Sequence, residues 1–501
     1  VTDDEYVSSK IEKGLYVLRN KSADYVWRFW KDIYLDQSED FYIETKMKHT
    51  AGDENHAYGI IWGTYDWANG YNFVITSSGY FKIYSYKNEK GNDIQDWKVC
   101  KSIKPKGQYN VLAIKRKGSI MYFYVNGTKV HSCRFLPFHG TMSGFLVQQE
   151  MTVAVDYFLI KHPPVTINLI ENAISDYPKE NPGKKINSEY SEIAPIISPD
   201  GNTLYVARKD HPESNAPGKY DIWVSTRNKA KEWSELKKLG KPLNNNGDNL
   251  VISVTPDGNT LLLEGLYNFD GSYINDKGIS ISHKTKTGWS VPKRVIIKNY
   301  YNRNEYESFC PSTDRKVLIM SVQRDDTYGL KDLYVSFLQS DGTYSVPKNM
   351  GKDINTYANE GTPFLAPDGK TLYFYSYGHP GYGSADIFVT KRLDDTWTSW
   401  SKPKNLGPQI NTKDWETYYT VPASGDYAYL VSDDESLGYE DIYAIKLQDE
   451  AKPEPVVLVS GKVFDKKTNK PVQAEIVYED LDKNTEVGRA VSDPNTGDYQ
   501  V

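Results

Sequence analysis

The sequence predicts an all-β protein, and three observations lead to that class: its composition, its alternating apolar segments and an internal repeat. Of its 501 residues, 40 are Tyr, 36 are Gly and 25 are Pro, whereas only 6 are Met. Tyr favours pleated strands, and Gly and Pro favour the turns between strands. A phrase that recurs at intervals of 54 to 57 residues shows that similar units follow one another along the chain.

Charge and cysteine content limit the classes of function. Sixty Lys and Arg residues stand against 66 Asp and Glu residues, a net charge of −6, so we expect no nucleic-acid partner. No run of 18 apolar residues occurs, and we predict no membrane-spanning helix. Three cysteines are too few for a disulfide scaffold or a Cys-rich zinc site. Cys100 and Cys133 either pair or are buried as small apolar side chains. We predict no cofactor and no metal.

Residues 1–163 contain a series of predicted strands. Apolar and polar residues alternate in several short segments, as they do in half-buried strands. Asn126-Gly127 separates two of these segments and predicts a type I′ hairpin, since both residues tolerate positive φ. The segments are Phe41–Met47, Tyr71–Ile75, Tyr80–Tyr84, Val111–Ile114, Ile120–Val125, Lys129–Cys133 and Val153–Ile160.

The order of these segments resembles that of concanavalin/laminin-G-like domains. The resemblance implies a jelly-roll-like sandwich, a fold that often binds carbohydrate. Aromatic rings stack on the apolar faces of sugars, and the candidate stacking residues are Trp62, Tyr65 and Trp67, with His56 beside them. The alternative is that Trp62 lies in the core and the others are ordinary rim residues. The matching phrases are Tyr58–Gly63, Gly79–Ile83, Tyr109–Ile114, Phe123–Gly127 and Val155–Ile160.

Five repeats occupy residues 164–447. Each has a turn of the type Ser-Pro-Asp-Gly-Asn-Thr-Leu-Tyr, with Asp at 200, 257, 314 and 368 and Ser424 in the fifth. An Asp-Ile-Tyr phrase then marks a third strand, and a Trp/Tyr-Ser phrase marks a fourth in all repeats but the last. Four strands in about 55 residues are typical of a propeller blade. We expect residues 165–170 or 182–186 to complete the last blade and close a five-bladed ring, with a six-bladed ring as the alternative.

The repeats resemble the WD-like units of TolB-type propellers. Gly follows Asp directly in the turn, which argues against the sialidase Asp-box. An acid recurs in the loop into most blades, and such acids either bind a cation or ligand at the mouth of the central channel or hold blade junctions through backbone N–H groups. Equivalent acids also argue against a glycosidase, which needs unlike carboxylates, so we predict no catalytic residue. The acids are Glu192, Glu307, Glu360 and Glu416.

The loops between the second and third strands carry Tyr and His beside Gly. Tyrosine offers a large contact area at a low cost in rotamer freedom, so these loops predict a protein-binding face. The alternative is that each aromatic residue packs on its own blade. The candidate residues are Tyr328, Tyr377, His379, Tyr382 and Tyr439.

Residues 448–457 are predicted to be a linker, and residues 458–501 to begin another β-sandwich. Gly461–Pro471 and the turn Thr496–Tyr499 resemble the first half of a carboxypeptidase-regulatory-like domain, and we expect the chain to continue beyond Val501.

This domain order resembles the OmpA-family envelope proteins of the Bacteroidota type. The resemblance implies a non-enzymatic, periplasmic scaffold associated with the outer membrane, in a barrel-assembly or protein-secretion complex. Its partners would be other envelope proteins and, through an OmpA-like domain absent from these 501 residues, peptidoglycan. The alternative is a carbohydrate-binding or glycan-degrading envelope protein with a lectin-like domain and a propeller hydrolase.

Overall fold

Strands form nearly all the regular structure of the protein. The computed structural model describes residues 2–33, 35, 37, 39–87, 89–163, 166–171, 173, 178–481 and 485–501. In these residues one 3-10 turn, Asp449–Ala451, is the only helical segment, which confirms the predicted all-β class. No helix of the described residues is long and apolar enough to span a membrane. The chain divides into two compact units, Val1–Thr166 and Ile167–Val501.

The first unit contains two antiparallel sheets. One has the order β1-β2-β3-β14-β5-β10-β11-β12, and the other has the order β4-β13-β6-β7-β8-β9. The strands are β1 (Thr2–Asp3), β2 (Val7–Glu12), β3 (Leu15–Asn20), β4 (Trp27–Asp32), β5 (Tyr42–Ala51), β6 (Ala57–Thr64), β7 (Gly70–Thr76), β8 (Tyr80–Lys87), β9 (Lys90–Val99), β10 (Asn110–Lys117), β11 (Ile120–Val125), β12 (Thr128–Arg134), β13 (Met142–Val147) and β14 (Met151–Lys161).

The core of this unit is built from the alternating apolar residues of both sheets. Trp62, Phe73 and Phe123 are fully buried in it, and the Trp62 and Phe123 ring centroids lie 5.7 Å apart. The predicted hairpin joins β11 and β12: Asn126 has φ 49° and Gly127 has φ 78°. The type I′ prediction is therefore confirmed, because both central residues adopt the positive φ that this turn requires.

Five antiparallel sheets follow one another along residues 191–446 of the second unit. They are β15 (Ser191–Ile197), β16 (Thr203–Lys209), β17 (Tyr220–Thr226) and β18 (Lys237–Lys238); β19 (Leu250–Val254), β20 (Thr260–Tyr267), β21 (Tyr273–Thr285), β22 (Gly288–Trp289) and β23 (Lys293–Arg294); β24 (Ser308–Pro311), β25 (Val317–Val322), β26 (Asp332–Phe337) and β27 (Lys348–Asn349); β28 (Glu360–Leu365), β29 (Thr371–Ser376), β30 (Asp386–Lys391) and β31 (Lys404–Asn405); and β32 (Glu416–Thr420), β33 (Tyr427–Ser432) and β34 (Asp441–Lys446).

The first strands of the five sheets contact one another in turn. β15 contacts β19, β19 contacts β24, β24 contacts β28 and β28 contacts β32, and β15 also contacts β32. All five line a small cavity of about 40 Å³, and β15, β19, β24 and β28 also line one of about 50 Å³. Each sheet therefore buries its first strand against both neighbouring sheets.

The predicted Pro-Asp-Gly turns join the first and second strands of these sheets. The turn glycine has positive φ in four sheets, at Gly201, Gly258, Gly369 and Gly425 (65–71°). The third repeat has Arg315 at this position, and Arg315 adopts φ 59°. The backbone of the turn is thus kept even where the sequence lacks the glycine that favours it.

A segment before the first sheet pairs with the last one. The Glu180 amide donates to the Ala444 carbonyl oxygen at 2.8 Å, and the Ala444 amide donates to that of Glu180 at 2.9 Å. Leu169 forms a parallel bridge with Asn405 of the fourth sheet, so residues 166–170 do not complete the last sheet, and Val165 lies outside the described residues. Residues 184–186 form a turn. Glu180, which pairs with the last sheet, therefore lies just before the second expected segment, 182–186. Pro182 could not form this pairing, because it has no amide to donate.

Two small sheets end the second unit. β35 (Ser460–Lys462) pairs with β38 (Asp498–Gln500), and β36 (Glu475–Asp480) pairs with β37 (Thr485–Val491). The β37 end contacts a turn of the second sheet: the Val491 amide donates to Asp257 Oδ2 at 2.7 Å, and Asn259 Nδ2 donates to the Val491 carbonyl oxygen at 2.8 Å.

Candidate functional site

The recurring junction acids are anchors of their own loops. Glu360 accepts from the Thr356 amide at 2.8 Å, from Thr356 Oγ1 at 2.7 Å and from Ser376 Oγ at 2.7 Å. Glu416 has the same three kinds of donor from Thr412 and Ser432. Both carboxyl groups are fully buried. Their oxygens are therefore occupied by the protein itself.

The other two acids are held in related ways. Glu192 is buried and accepts from the Ser188 amide at 2.9 Å and from Arg208 Nε at 2.7 Å. Glu307 accepts from the Gly278 amide at 2.8 Å and from the Tyr300 hydroxyl. The hypothesis that these four acids bind a ligand at the channel mouth is wrong for the structure, because loop donors already satisfy their carboxylate oxygens.

Third-strand aspartates position the loops between the second and third strands. Each accepts a backbone amide from its own loop: Asp332 from Tyr328 at 2.8 Å, Asp386 from Tyr382 at 3.0 Å and Asp441 from Leu437 at 2.9 Å. Five such loops lie between paired strands, at 210–219, 268–272, 323–331, 377–385 and 433–440. A junction loop leads into the first strand of each sheet. We call the surface made by the junction loops and by these five loops the loop face.

Aromatic side chains are exposed on the loop face. Tyr439 is 71% exposed, Tyr328 56%, Tyr382 38% and Tyr377 37%. Phe269 of the second sheet's loop is 95% exposed, although it is not among the residues predicted for a binding face. A large apolar ring gains nothing from such exposure in the isolated chain, so these residues mark a surface suited to contact with another molecule.

His379 is less exposed than these tyrosines. Its Nε2 atom lies 2.7 Å from the Ile354 carbonyl oxygen, and its ring packs against those of Phe374 and Phe388. Burial lowers the pKa of His379 to about 4. These contacts hold the loop in place, and a contribution of the partly exposed His379 to a binding face stays a prediction.

Five side chains, one from each sheet or from the loop beside it, interact electrostatically or by hydrogen bonds, and we call this group the centre of the loop face. They are Tyr220, Glu264, Lys331, Tyr375 and Tyr418, in sheet order. Lys331 Nζ donates to the Tyr375 hydroxyl at 3.2 Å, and the Tyr220 hydroxyl lies 3.2 Å from Ser191 Oγ. Glu264 and Tyr418 line the cavity of about 40 Å³ at the first strands.

Glu264 is the unusual member of this group. Burial and the nearby Glu307 carboxylate raise the pKa of Glu264 to about 8, while Lys331 lowers it. Burial, with the Glu264 carboxylate next, raises the pKa of Tyr418 far above its usual range. The centre of the face therefore carries an acid that is largely protonated at neutral pH.

The sequence signal for Glu264 is a departure from the repeat, because an acid stands where the other repeats have none. Counted from the turn aspartate, its position is held by Ala207, Ser321, Tyr375 and Val431 in the other repeats. A single acid inside the apolar run Thr260–Tyr267 is an exception to the pattern, and exceptions of this kind mark functional positions better than residues shared by every repeat.

The sugar-stacking candidates of the first unit separate into a core residue and a surface cluster. Trp62 is fully buried, so the prediction that it stacks on a sugar is wrong. Trp67 is 47% exposed, and its ring contacts those of Trp27 and Trp30 at 5.8 and 5.0 Å. Tyr65 is partly exposed, and its amide donates to the Asn69 carbonyl oxygen at 3.0 Å.

Cysteines and metal ligands add no further site. Cys100, Cys133 and Cys310 are free thiols. Nowhere in the described ranges do three His, Cys, Asp or Glu side chains gather in a way that could hold a metal ion.

Comparisons with known proteins give only distant likenesses. No family model and no curated protein matches the chain. A Bacillus subtilis carbohydrate-binding module, CBM66, is 13% identical over 31% of this chain and 91% of its own, with a TM-score of 0.24. Sheep galectin-11 is 13% identical over 27% and 97%, with a TM-score of 0.23. A leech intramolecular trans-sialidase is 10% identical over 84% and 98%, with a TM-score of 0.30. Likenesses this weak carry no argument about function.

Proposed function

We propose that the protein is a non-enzymatic scaffold that binds partner proteins through the loop face of its second unit. In this proposal residues 164–447 are a five-bladed β-propeller and residues 1–163 a jelly-roll-like sandwich. The contacts of β15 with both β19 and β32, and the pairing of Glu180 with Ala444, support five blades in a closed ring.

The observation that carries the proposal is the contrast between exposed aromatics and satisfied acids. On the loop face, Tyr328 and Tyr439 are more than half exposed, whereas Glu360 and Glu416 are buried and fully bonded to their own loops. Hydrolysis of a glycoside needs two carboxyl groups that face a substrate. Exposed tyrosines held on rigid loops instead suit recognition of a protein surface.

The cellular setting is proposed from the sequence resemblance alone. A protein of this domain order would lie in the periplasm, associated with the outer membrane, within a barrel-assembly or protein-secretion complex. Residues 458–501 would begin a carboxypeptidase-regulatory-like domain after the linker at 448–457. Peptidoglycan would be bound by a further OmpA-like domain outside these 501 residues.

Affinity purification of the full-length protein from envelope extracts, followed by mass spectrometry, tests this proposal. We expect defined envelope proteins to co-purify, and replacement of Tyr328, Tyr377, Tyr382 and Tyr439 by Ala to reduce their recovery at least tenfold. The matched control replaces Tyr25, Tyr80 and Tyr427, which are 41–61% exposed outside the loop face. Unchanged recovery with the loop-face variant, or recovery of glycans alone, would refute the scaffold.

A second candidate, carbohydrate binding by the first unit, is favoured by one observation. Trp67 is 47% exposed, and its ring centroid lies 5.8 Å from that of Trp27 and 5.0 Å from that of Trp30. Exposed aromatic rings suit the apolar face of a sugar ring.

Glycan-array binding by the first unit's surface distinguishes this candidate. Trp67→Ala should abolish any glycan signal, whereas Trp97→Ala, which removes an exposed Trp (43%) of β9, should leave it unchanged. A signal that survives Trp67→Ala would exclude the aromatic cluster as the sugar site.

A further inference from the structure

Glu264 belongs to the centre of the loop face and, in the part of the chain that the structure describes, its carboxyl group has no bonding partner. Its side chain lines the cavity of about 40 Å³ that the first strands of all five sheets share. Among the described residues, no hydrogen bond or ion pair engages its carboxyl group, in contrast to the four junction acids. A partly buried carboxyl group left unpaired costs stability, so its retention points to a partner outside the chain.

The groups around Glu264 favour a positive charge. Glu307, Asp248 and Lys331 act on it electrostatically. Glu264, Tyr375, Tyr220 and Glu440 act electrostatically on Tyr418. Lys331 donates to the Tyr375 hydroxyl rather than forming an ion pair with Glu264. Asp248 is already paired with Lys219 Nζ at 2.7 Å, and Lys277 acts on Glu307. Glu264 itself keeps no bonded counter-ion among the described residues.

The shape of the centre favours an organic cation over a metal ion. Calcium needs six to eight oxygen ligands, and the described residues hold no group of three potential metal-ligating side chains. An ammonium group needs only one carboxylate and neighbouring aromatic rings. A cavity of about 40 Å³ holds one small group, which fits the tip of a lysine better than the planar fork of an arginine.

We propose that the centre of the loop face takes the ammonium group of a lysine side chain of a partner protein, with Glu264 as its counter-ion. Here Tyr418, Tyr375 and Tyr220 enclose the methylene stem, and the exposed tyrosines contact the surface around that lysine. This inference rests on the proposed protein-binding function and assigns its central contact.

Proton release accompanies this binding. Glu264 is protonated below about pH 8 in the free protein, and a lysine ammonium pairs with the ionised form. Affinity should therefore rise about tenfold for each pH unit between pH 6 and pH 7.5, and level off above pH 8. Lysine itself, with a pKa of about 10.4, stays charged throughout this range.

Saturation-transfer NMR with acetyl-Gly-Lys-Gly-amide tests the inference on the full chain. At pH 8 we expect saturation transfer to the lysine methylenes and none to the norleucine analogue of the peptide. Glu264→Gln should remove the signal, whereas Glu305→Gln, the same change at an exposed loop-face acid, should leave it. Equal signals from both peptides, no signal at pH 8, or a signal unaffected by Glu264→Gln would overturn the inference.

Two further results keep the two proposals separate. The pH dependence of peptide affinity is measured on the unaltered protein, so it tests the inference even if Glu264→Gln fails to fold. An affinity that does not change with pH overturns the inference. Loss of the peptide signal in Glu264→Gln with partner proteins still recovered would leave the scaffold standing and remove lysine capture as its central contact. Recovery of no partner protein, with the peptide signal intact, would remove the scaffold and leave lysine binding at Glu264 standing.

Discussion

Asn187 and Ile442, which are 255 residues apart, are joined by two hydrogen bonds. The Ile442 amide donates to Asn187 Oδ1 at 2.9 Å, and Asn187 Nδ2 donates to the Ile442 carbonyl oxygen at 2.8 Å. Asn244 forms the same pair of bonds with Ile222, Asn355 with Leu333 and Asn411 with Ile387, at 2.7–3.0 Å. The last sheet is thus joined to the first by the same contact that joins successive sheets.

Replacement of Asn187 should remove the two hydrogen bonds that join the first sheet to the last. Asn187→Ala leaves a buried amide and a buried carbonyl of Ile442 unpaired, and we expect a local loss of about 2–3 kcal/mol. Hydrogen–deuterium exchange at residues 441–446 should then accelerate about 30- to 150-fold. The control is Asn246→Ala, an exposed Asn of the next junction, which should leave the exchange of that strand unchanged. Equal exchange in the two variants would contradict the role of Asn187.

Glu264 should destabilise the protein at high pH. Its pKa is about 8 in the fold and near 4.3 in an unfolded chain. The folded state therefore holds one more proton between these values, and stability falls as pH rises through this window. Glu264→Gln should be more stable than the unaltered protein by about 4–5 kcal/mol at pH 8, since each unit of the pKa shift is worth about 1.4 kcal/mol, and nearly equal to it near pH 4. Thermal unfolding at both values measures this; a difference that does not change with pH would be inconsistent with the raised pKa.

His379 should loosen its loop when the pH falls. Burial holds the pKa of His379 near 4, below the usual 6.5, so its contribution to stability is complete above pH 6.5 and declines from there towards pH 4. Exchange of residues 377–385 should rise about tenfold or more between pH 7 and pH 5, after correction for intrinsic rates. The loop at 323–331, which contains no His, serves as the internal reference.

Asp257 should hold the C-terminal strands on the second sheet. Its Oδ1 atom accepts from Thr255 and Asn259 within the turn, while Oδ2 accepts the Val491 amide at 2.7 Å. Asp200, at the same position of the first repeat, has only bonds within its own turn. Asp257→Ala should therefore speed proteolysis between residues 452 and 459 several-fold more than Asp200→Ala. The same rate in both would exclude this contact as the anchor.

Replacement of Arg315 by glycine should stabilise the second unit. It has φ 59° in a turn where four other repeats place Gly, and a side chain in this region costs about 1 kcal/mol. Arg315→Gly should raise the free energy of unfolding of the second unit by up to about 1 kcal/mol. Lys316→Gly, at the next position, should not stabilise it, because its φ is not positive. Destabilisation by Arg315→Gly would show that its side-chain contacts outweigh the strain.

Local chemistry made part of the fold predictable. The hairpin at Asn126-Gly127 and the turns at Gly201 and Gly369 follow from residues that tolerate positive φ, and such signals need only a few neighbouring positions. Strand alternation and the repeat made the all-β class predictable in the same way. The exposed tyrosines of the loop face were also visible in the sequence, since each follows a strand of recognisable pattern.

Side-chain roles at the candidate site depended on distant neighbours. Glu192 and Glu416 look like ligand-binding acids in the sequence, but Ser and Thr residues four positions earlier satisfy them. Trp62 resembles a sugar-stacking residue in the sequence, but it is fully buried in the core, where it packs against Phe123 of the other sheet. Whether a polar or aromatic side chain is free to bind depends on what packs against it, which no local window contains.

The sequence by itself determined the strands, the turns and the number of repeats, because these follow from backbone preferences of adjacent residues. Only the tertiary structure decided that Glu180 pairs with Ala444, that Asn187 joins the first sheet to the last, and that Glu264 lines a cavity shared by the first strands of five sheets. These are contacts across long stretches of chain, and packing selects them from many pairings that the local sequence allows equally well.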